Sequence, residues 1–560
     1  MTHRHSDYHK RETAEVAQFV DALKNESVKG GTFDSAAADD FVSTAINQSG
    51  SVKMPEKLKI ALDEADDKQA SMLTRAILDG AATYERMHGS SAPADLLEQA
   101  IHLAYSTTKE AGRKMSLDSA SSDHSAALSL QPNRAVVAIL TTLSEAIPFA
   151  HYLPADLQSN EAKLAIMTHQ AGKDYGRYLQ GALMDGAYSG DTYISSSREH
   201  KCLIEVDGVS VPTGAITGKL TAIQTDGETC DPAGGAIKLL RGRSLVYVNG
   251  MIAAREVSAT GTGASVVSGQ VTIGGVMHQI SGTVHPDTGD IALTSAPAMA
   301  ATNSVVVEGF IDYERAPELT PNIVTAVDTY LLHAKPWRVT THQTIDSRTQ
   351  MANELGLDPY SEGVIGIQAQ FANERHYEVL RKAKRLAAQN QDTFDFKWAT
   401  AGDFKVRADV WRDFGSVLGA VSQRMAIATM NHGVTHLYVG AKVAAQLSSL
   451  PNDMWEPSGI VERPGIFRLG RLYGRYDVYY SPKEIVETED GAQILCVGRA
   501  TDVTRNPFVL GDAVPPMVIP LAVNQDMKTG AAFYARNFTA VNPHQPSSLG
   551  CALINVTDLF

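Results

Sequence analysis

From Lys201 to Glu314 the chain alternates apolar and small polar residues with a period of two, whereas the stretches on either side carry a helical period. Ser244-Leu245-Val246-Tyr247-Val248-Asn249-Gly250, Ser265–Ile280 and Ser304-Val305-Val306-Val307-Glu308 show the alternation most clearly. Asn249-Gly250 and Asp287-Thr288-Gly289-Asp290 supply tight-turn chemistry between such runs. A period of two places side chains on alternate faces of a pleated strand and does not fit a helix. The block is therefore predicted to be a compact antiparallel β domain, and the surrounding fold has to let the chain leave for it and come back.

The chain has 560 residues, well past the roughly 250–300 at which one hydrophobic core stops growing, so two to four compact units are expected. Residues 1–130 are rich in Ala, Ser, Asp, Glu and Lys, with short apolar stripes at Val16, Phe19, Val20 and Leu23, at Leu58, Ala61 and Leu62, and at Met72, Leu73, Ile77 and Leu78. That spacing predicts helices joined by polar linkers, an arm more than a core, whose deletion should leave a soluble body. The Ser/Asp-rich segment Ser116–Gln131 ends it. Packed structure is expected to begin with Ala135-Val136-Val137-Ala138-Ile139-Leu140 and Ile147-Pro148-Phe149.

Beyond the β block the helical period returns at Pro359, with Val364, Ile367 and Phe371 and then Leu380, Ala383 and Leu386 on one face. Asp358 is placed to cap this helix, Pro359 fits its first position, and Arg381, Lys382, Lys384 and Arg385 favour its C-terminal end. A helix of about 30 residues would be about 45 Å long. A second helix fits Asp409 to Asn431, with Phe414, Leu418, Val421, Met425 and Ala428 inward and Gly433 near its C-cap. Strands are expected at His436–Val439, Arg475–Tyr480, Gln493–Val497, Met517–Val523, Ala531–Val541 and Cys551–Val556.

The formal net charge of −14 argues against a protein built for tight, sequence-general binding to nucleic acid. Cys202, Cys230, Cys496 and Cys551 form no CxxC pair, so buried, reduced thiols are expected. The polar start and the lack of any run near 20 apolar residues predict a soluble chain with no export signal and no membrane partner. No phosphate loop, zinc helix, nucleophile elbow or calcium loop is present. Gly261-Thr262-Gly263-Ala264 lacks a strand-to-helix setting and reads as a loop; His3, His5 and His9 sit in a polar terminus; Asp63, Glu64, Asp66 and Asp67 read as a solvated face. In Glu199-His200-Lys201-Cys202 a thiol lies near an imidazole, but strand geometry places the pair poorly for proton transfer. No catalytic residue, cofactor or metal is expected, and the chain is read as structural.

Three groups of motifs follow in order between residues 317 and 545. The first is Lys335-Pro336-Trp337-Arg338-Val339, with Asp346 in Ile345-Asp346-Ser347-Arg348 and Gly356-Leu357-Asp358-Pro359, which lead into the long helix. The others are Gly470-Arg471-Leu472-Tyr473-Gly474-Arg475-Tyr476 to Ser481-Pro482, then Val518-Ile519-Pro520-Leu521, Phe533-Tyr534-Ala535-Arg536 and Asn542-Pro543. In their order and spacing these stretches resemble the major capsid proteins of tailed bacteriophages, of the T-even-like and jumbo-phage type. Asp346 stands where the family has Glu, Thr349-Gln350 where it has Gln-Asp, and Arg536-Asn537-Phe538 where it has Arg-Tyr-Gly.

The resemblance implies an α+β chain with the Hong Kong 97 capsid fold: an N-arm, an extended E-loop, a peripheral domain with a long spine helix, and an axial domain. It implies an N-terminal helical arm at 1–130, the start of the peripheral domain at 131–200, and a β-rich insertion in or beside the E-loop at 201–314. The peripheral domain with the spine helix would follow at 315–408, the axial domain at 409–525, and strands returning to the peripheral domain at 526–560. The implied partners are other copies of the chain in hexamers and pentamers, a portal vertex, and scaffold, protease or decoration proteins. The shell would enclose viral DNA without specific binding, in a virion assembled in the host bacterial cytoplasm. Glu64-Ala65, after Leu62-Asp63, resembles a maturation cleavage site; Leu143-Ser144-Glu145 has similar letters in an apolar run expected to be buried. An encapsulin-like compartment shell shares the implied fold, and a polysaccharide-binding or hydrolytic protein acting through the β domain is the reading from a different class.

Overall fold

The computed structural model describes residues 2–29, 32–46, 54–63, 67–110, 131–154, 161–207, 211–257, 261–355, 359–397, 406–523 and 527–559. The fold is mixed α/β and divides into two compact units, Met1–Ile166 with Thr329–Phe560, and Met167–Asp328.

In the first unit the N-terminal segment is not an arm. Helices Thr2–Ser27, Ser35–Ile46, Glu56–Asp63, Asp67–His88, Ala94–Glu110 and Gln131–Ser144 follow one another. Val16, Phe19, Val20 and Leu23 are buried in one continuous cluster with Leu73, Ile77, Leu97, Ile101, Leu143, Phe149 and Tyr152. Tyr438, Tyr479, Leu495 and Val497, which come from strands far along the chain, belong to the same cluster. Each stripe is narrow, but alanines such as Ala76, Ala100 and Ala104 let the helices approach closely, so the stripes merge into a core. Packing therefore starts at Val16 and not at Ala135, and removing residues 1–130 would take His88 from Tyr479, to which it is hydrogen-bonded. Met72, read as part of a stripe, is exposed.

A buried polar joint fixes this helical layer. The Asp95 carboxylate accepts from the Tyr152 N–H at 2.9 Å and pairs with His151 Nδ1 at 3.1 Å and Arg499 Nη2 at 3.2 Å. Burial opposes its charge, but His151 and Arg499 prevail and hold its pKa at about 2.

The long helix spans Pro359–Leu386, 28 residues. Its C-terminal part buries Phe371, Arg375, Val379, Leu380 and Ala383, and Arg375 forms a buried ion pair with Asp512 at 2.9 Å. A four-stranded sheet runs in the order Lys335–Thr344, Lys528–Val541, Phe508–Leu521, His151–Tyr152, with the last pair parallel. Phe371 of the helix clusters with Phe533 and Ala535 of this sheet.

A second, mixed sheet has seven strands: Gln391–Asp395, Cys551–Thr557, Ala492–Gly498, Val434–Val439, Tyr476–Tyr480, Phe467–Leu472 and Trp455–Pro457. Helix Arg407–Thr429 buries Trp411, Phe414, Leu418, Val421 and Met425 against it. Its C-cap is Met430 in the left-handed region at φ 58°, a little before Gly433. Gly433 instead answers a close approach, since a Cβ there would lie 2.3 Å from Ser422 Oγ. The segment 526–560 is divided between the two sheets. Lys528–Val541 joins the four-stranded sheet, while Cys551-Ala552-Leu553-Ile554, an unbroken apolar run, is buried inside the seven-stranded one. Residues 508–521 likewise belong to the four-stranded sheet and not with the rest of 409–525.

The second unit is built on a closed antiparallel barrel of eight strands, ordered Val276–Val284, Asp290–Ala296, Pro212–Lys219, Ser197–Val206, Val305–Phe310, Leu245–Val248, Met251–Glu256, Ser265–Ile273 and back to the first. Alternate residues fill it, among them Ile216, Val246, Val248, Val267, Ile280, Leu293, Val305 and Val307. Asn249 and Gly250 turn with φ of 48° and 80°. The run Ser265–Ile280 is two strands, broken at Gly274-Gly275 with φ of 56° and 82°. The unit is wider than 201–314. Tyr175, Tyr178 and Tyr193 belong to its core, and Arg198 is wholly buried with its guanidinium 4.3 Å from the Tyr175 ring.

Four histidines, His88, His432 and His436 buried and His376 half-buried, are expected to make the fold sensitive to acid. Burial lowers His88, His376 and His436 to a pKa of about 3, and His432 to about 4. The unfolded chain takes up these protons near pH 6.5 and the folded chain does not. Stability is therefore lost progressively as pH falls from about 6.5 toward 3. Each imidazole costs up to about 2 kcal/mol at pH 5. Glu145 opposes this, because burial raises it to about 7 and the fold regains stability as that carboxylate protonates. Four groups outweigh one. The urea midpoint at pH 5 is expected well below that at pH 7.5, and equal midpoints would disprove the assignment.

Candidate assembly surfaces

The strand Lys335–Thr344 lies at an open edge of the four-stranded sheet, and both its faces are largely exposed. Helix Ile345–Leu355 follows it and is exposed along its length among the described side chains. The long helix then begins at Pro359, whose carbonyl accepts from Gln343 Nε2 at 2.5 Å. Residues 335–355 and 359–370, with the far ends of the strands Phe508–Leu521 and Lys528–Val541, form a limb that projects apolar groups into solvent. Ile345 is 40% exposed, Met351 41% and Ile365 58%, with Val339, Ile519, Val523 and Met527 also exposed.

A second limb is the two-stranded sheet of Glu161–Ala171 and Ile323–His333. Ile323, Val324, Val327 and Leu331 are exposed on it, Leu331 at 52%. Part of the sheet is covered, since Ala162, Leu164, Ile166 and Leu332 are buried with Val509 and Phe538, but its exposed apolar side chains add nothing unless something covers them. Long regular strands with this exposure are stable surfaces once other molecules pack on them.

Trp337, Arg338, Pro520 and Arg536 meet in the four-stranded sheet. Trp337 pairs with Ala535, Arg338 with Tyr534, Pro336 with Arg536 and Pro520 with Ala531. The Trp337 indole donates to Asn537 Oδ1 at 2.8 Å and packs edge-on against Phe371 at 5.3 Å. It lines a small cavity of about 220 Å³ with Lys335, Pro336, Glu378, Asn537 and Thr539. Pro520 is exposed on a stretch of strand paired on one side, where a missing N–H costs nothing. Asp346 lies in the first turn of its helix. Gly474, Pro482 and Pro543 lie elsewhere: Gly474 in a tight turn at φ 64°, Pro482 after the strand Tyr476–Tyr480, and Pro543 beside Asn542, whose amide donates to the Thr504 and Asn506 carbonyls at 2.9 Å. Gly356, Asp358, Glu64 and Ala65 lie outside the described residues.

The sequence reading missed the exposed apolar residues of both limbs. The β-branched run Ile323-Val324-Thr325-Ala326-Val327 carries a strand signal, but without a polar face in alternation it does not disclose that it stays exposed.

The thiols of the β unit are not set up as nucleophiles. His200 Nδ1 accepts the Cys230 N–H at 3.1 Å, and burial pushes the Cys202 thiol up to about 12. All four cysteines are free and buried. Among the described residues no group of His, Cys, Asp or Glu is placed to hold a metal ion, and no helix is long and apolar enough to cross a membrane.

No family model matches the sequence, and no curated protein matches it. Among solved structures, the chain is similar to the capsid of the jumbo bacteriophage PhiKZ at 9% identity and a TM-score of 0.36, covering 73% of this chain and 91% of that one. It is similar to a structure of Mycobacterium phage Che8 at 11% identity and a TM-score of 0.26, covering 53% and 85%. A third likeness is the holo-SrpI encapsulin of Synechococcus elongatus PCC 7942, at 12% identity and a TM-score of 0.25, covering 43% and 79%.

Proposed function

We propose that the chain is the major capsid protein of a tailed bacteriophage of the T-even-like or jumbo type, a structural subunit and not an enzyme. The observation that carries this reading is the pair of limbs: the strand Lys335–Thr344 with the helix after it, exposed on both faces, and the strand Ile323–His333, exposed over most of its length, all with apolar side chains outward. Such limbs suit a subunit that overlaps its neighbours in a closed shell. In this reading Pro359–Leu386 is the spine helix of a Hong Kong 97 fold, the four-stranded sheet its peripheral domain, and the seven-stranded sheet its axial domain. The paired strands Glu161–Ala171 and Ile323–His333 are the E-loop, which carries the barrel as an insertion.

The shell partners are further copies in hexamers and pentamers, with a portal vertex and scaffold, protease or decoration proteins. The enclosed DNA is not gripped, in keeping with the charge of −14. The protein belongs to the virion and is made in the host cytoplasm. Negative-stain images of the purified protein should show polyhedral shells, and a monomer at every concentration would sink the proposal. Cleavage between Glu64 and Ala65 would accompany maturation. Intact masses of subunits from mature heads should begin at Ala65, and a full-length mass rules the cleavage out.

A further inference from the structure

One end of the barrel carries a polar cup of about 500 Å³, lined by Arg241, Gly261, Thr262, Asp287, Asp312 and Arg315. Each comes from a connection at that end: before Leu245–Val248, between Met251–Glu256 and Ser265–Ile273, between Val276–Val284 and Asp290–Ala296, and after Val305–Phe310. Arg315 closes on Asp287 in a tight ion pair, Lys238 Nζ stands 3.6 Å from the same carboxylate, and Arg241 Nη2 stands 3.8 Å from it. Arg241 is held in place by neutral acceptors, the Gly263 carbonyl at 2.9 Å and Ser265 Oγ at 3.3 Å. Its side chain is 17% exposed. Asp312 Oδ1 is taken up by the N–H groups of Glu314 and Arg315 at 3.1 and 3.4 Å.

Asp287 and Asp312 bring two carboxylates to the three cations Arg241, Arg315 and Lys238, so the cup is one negative charge short and the chemistry it lacks is a further oxyanion. We propose that this cup binds a small hydroxylated ligand bearing one carboxylate or phosphate, which Arg241 and Arg315 hold by their planar forks. Its size falls in the range of about 300–1,000 Å³ usual for small-molecule sites, which favour the mouths of β-barrels. The cup is larger than a bare oxyanion requires, and Gly261, Thr262 and Asp312 line the remainder with groups suited to hydroxyls. The site is independent of the shell reading.

The test is calorimetric titration of the full chain with glucuronate, glucose phosphate and neutral glucose at constant ionic strength. One or both anions should bind saturably and glucose roughly tenfold or more weaker; which anion binds identifies the group. Arg241→Gln should weaken binding about tenfold or more. Thr262→Trp, on an exposed loop, should do the same by filling the cup while leaving the melting temperature unchanged. No saturable binding of either anion overturns the proposal, as does binding that Thr262→Trp leaves intact.

Discussion

Replacing Ile345, Met351 and Ile365 together by Asp is expected to abolish shells and leave a folded, soluble subunit. All three are substantially exposed in the isolated chain, so each substitution should change subunit stability by no more than about 0.5 kcal/mol. In the proposed shell the same positions would be covered. There each would forfeit roughly 25 cal/mol per Å² of apolar burial and would also have to desolvate a carboxylate, at several kcal/mol. The penalty recurs in every copy, so closure should fail outright and not merely weaken. Sedimentation velocity and negative stain read the assembly, and circular dichroism checks the fold. Shells at the wild-type concentration would remove this limb from the contact surfaces.

Most of what the sequence disclosed came from strong periodicity. The helix from Pro359 was legible because Phe371, Leu380 and Ala383 keep one face and Pro359 opens it; the barrel strands were legible because Val246 and Val248 point in while Tyr247 does not. The N-terminal layer was misread because its core is assembled from stripes of two to four residues, none persuasive alone. Their burial depends on Tyr438 and Tyr479, far away in sequence. Arg375 and Asp512 illustrate the same limit: each looks like a surface charge until the fold brings them to 2.9 Å in the interior. The limbs were hidden for the opposite reason. Exposed Val324 and Leu331 satisfy the local rules for strands, and their exposure shows only once the chain is folded. The polar cup was passed over as well, because Arg241, Asp287 and Arg315 converge from separate turns.

A fragment of residues Met167–Asp328 should unfold cooperatively on heating, whereas a fragment of Lys201–Glu314, bounded by the alternating pattern alone, should not. The shorter piece begins inside a barrel strand. It loses Ser197, Arg198, Glu199 and His200, the partners of Phe310, Gly309, Glu308 and Val307, and so opens the barrel along two thirds of that strand pair. It also loses Arg198, which donates to the carbonyls of Ala222, Ser195 and Ser197, and with it Tyr175, Tyr178 and Tyr193, all buried. Removing one buried aromatic side chain costs about 3–5 kcal/mol, and a domain of this size has only about 5–15 kcal/mol in total. Three such losses together with an opened barrel exceed that margin. Far-UV circular dichroism melts of the two fragments decide it. Similar cooperative transitions in both would mean that Tyr175, Tyr178, Tyr193 and Arg198 decorate the barrel without supporting it.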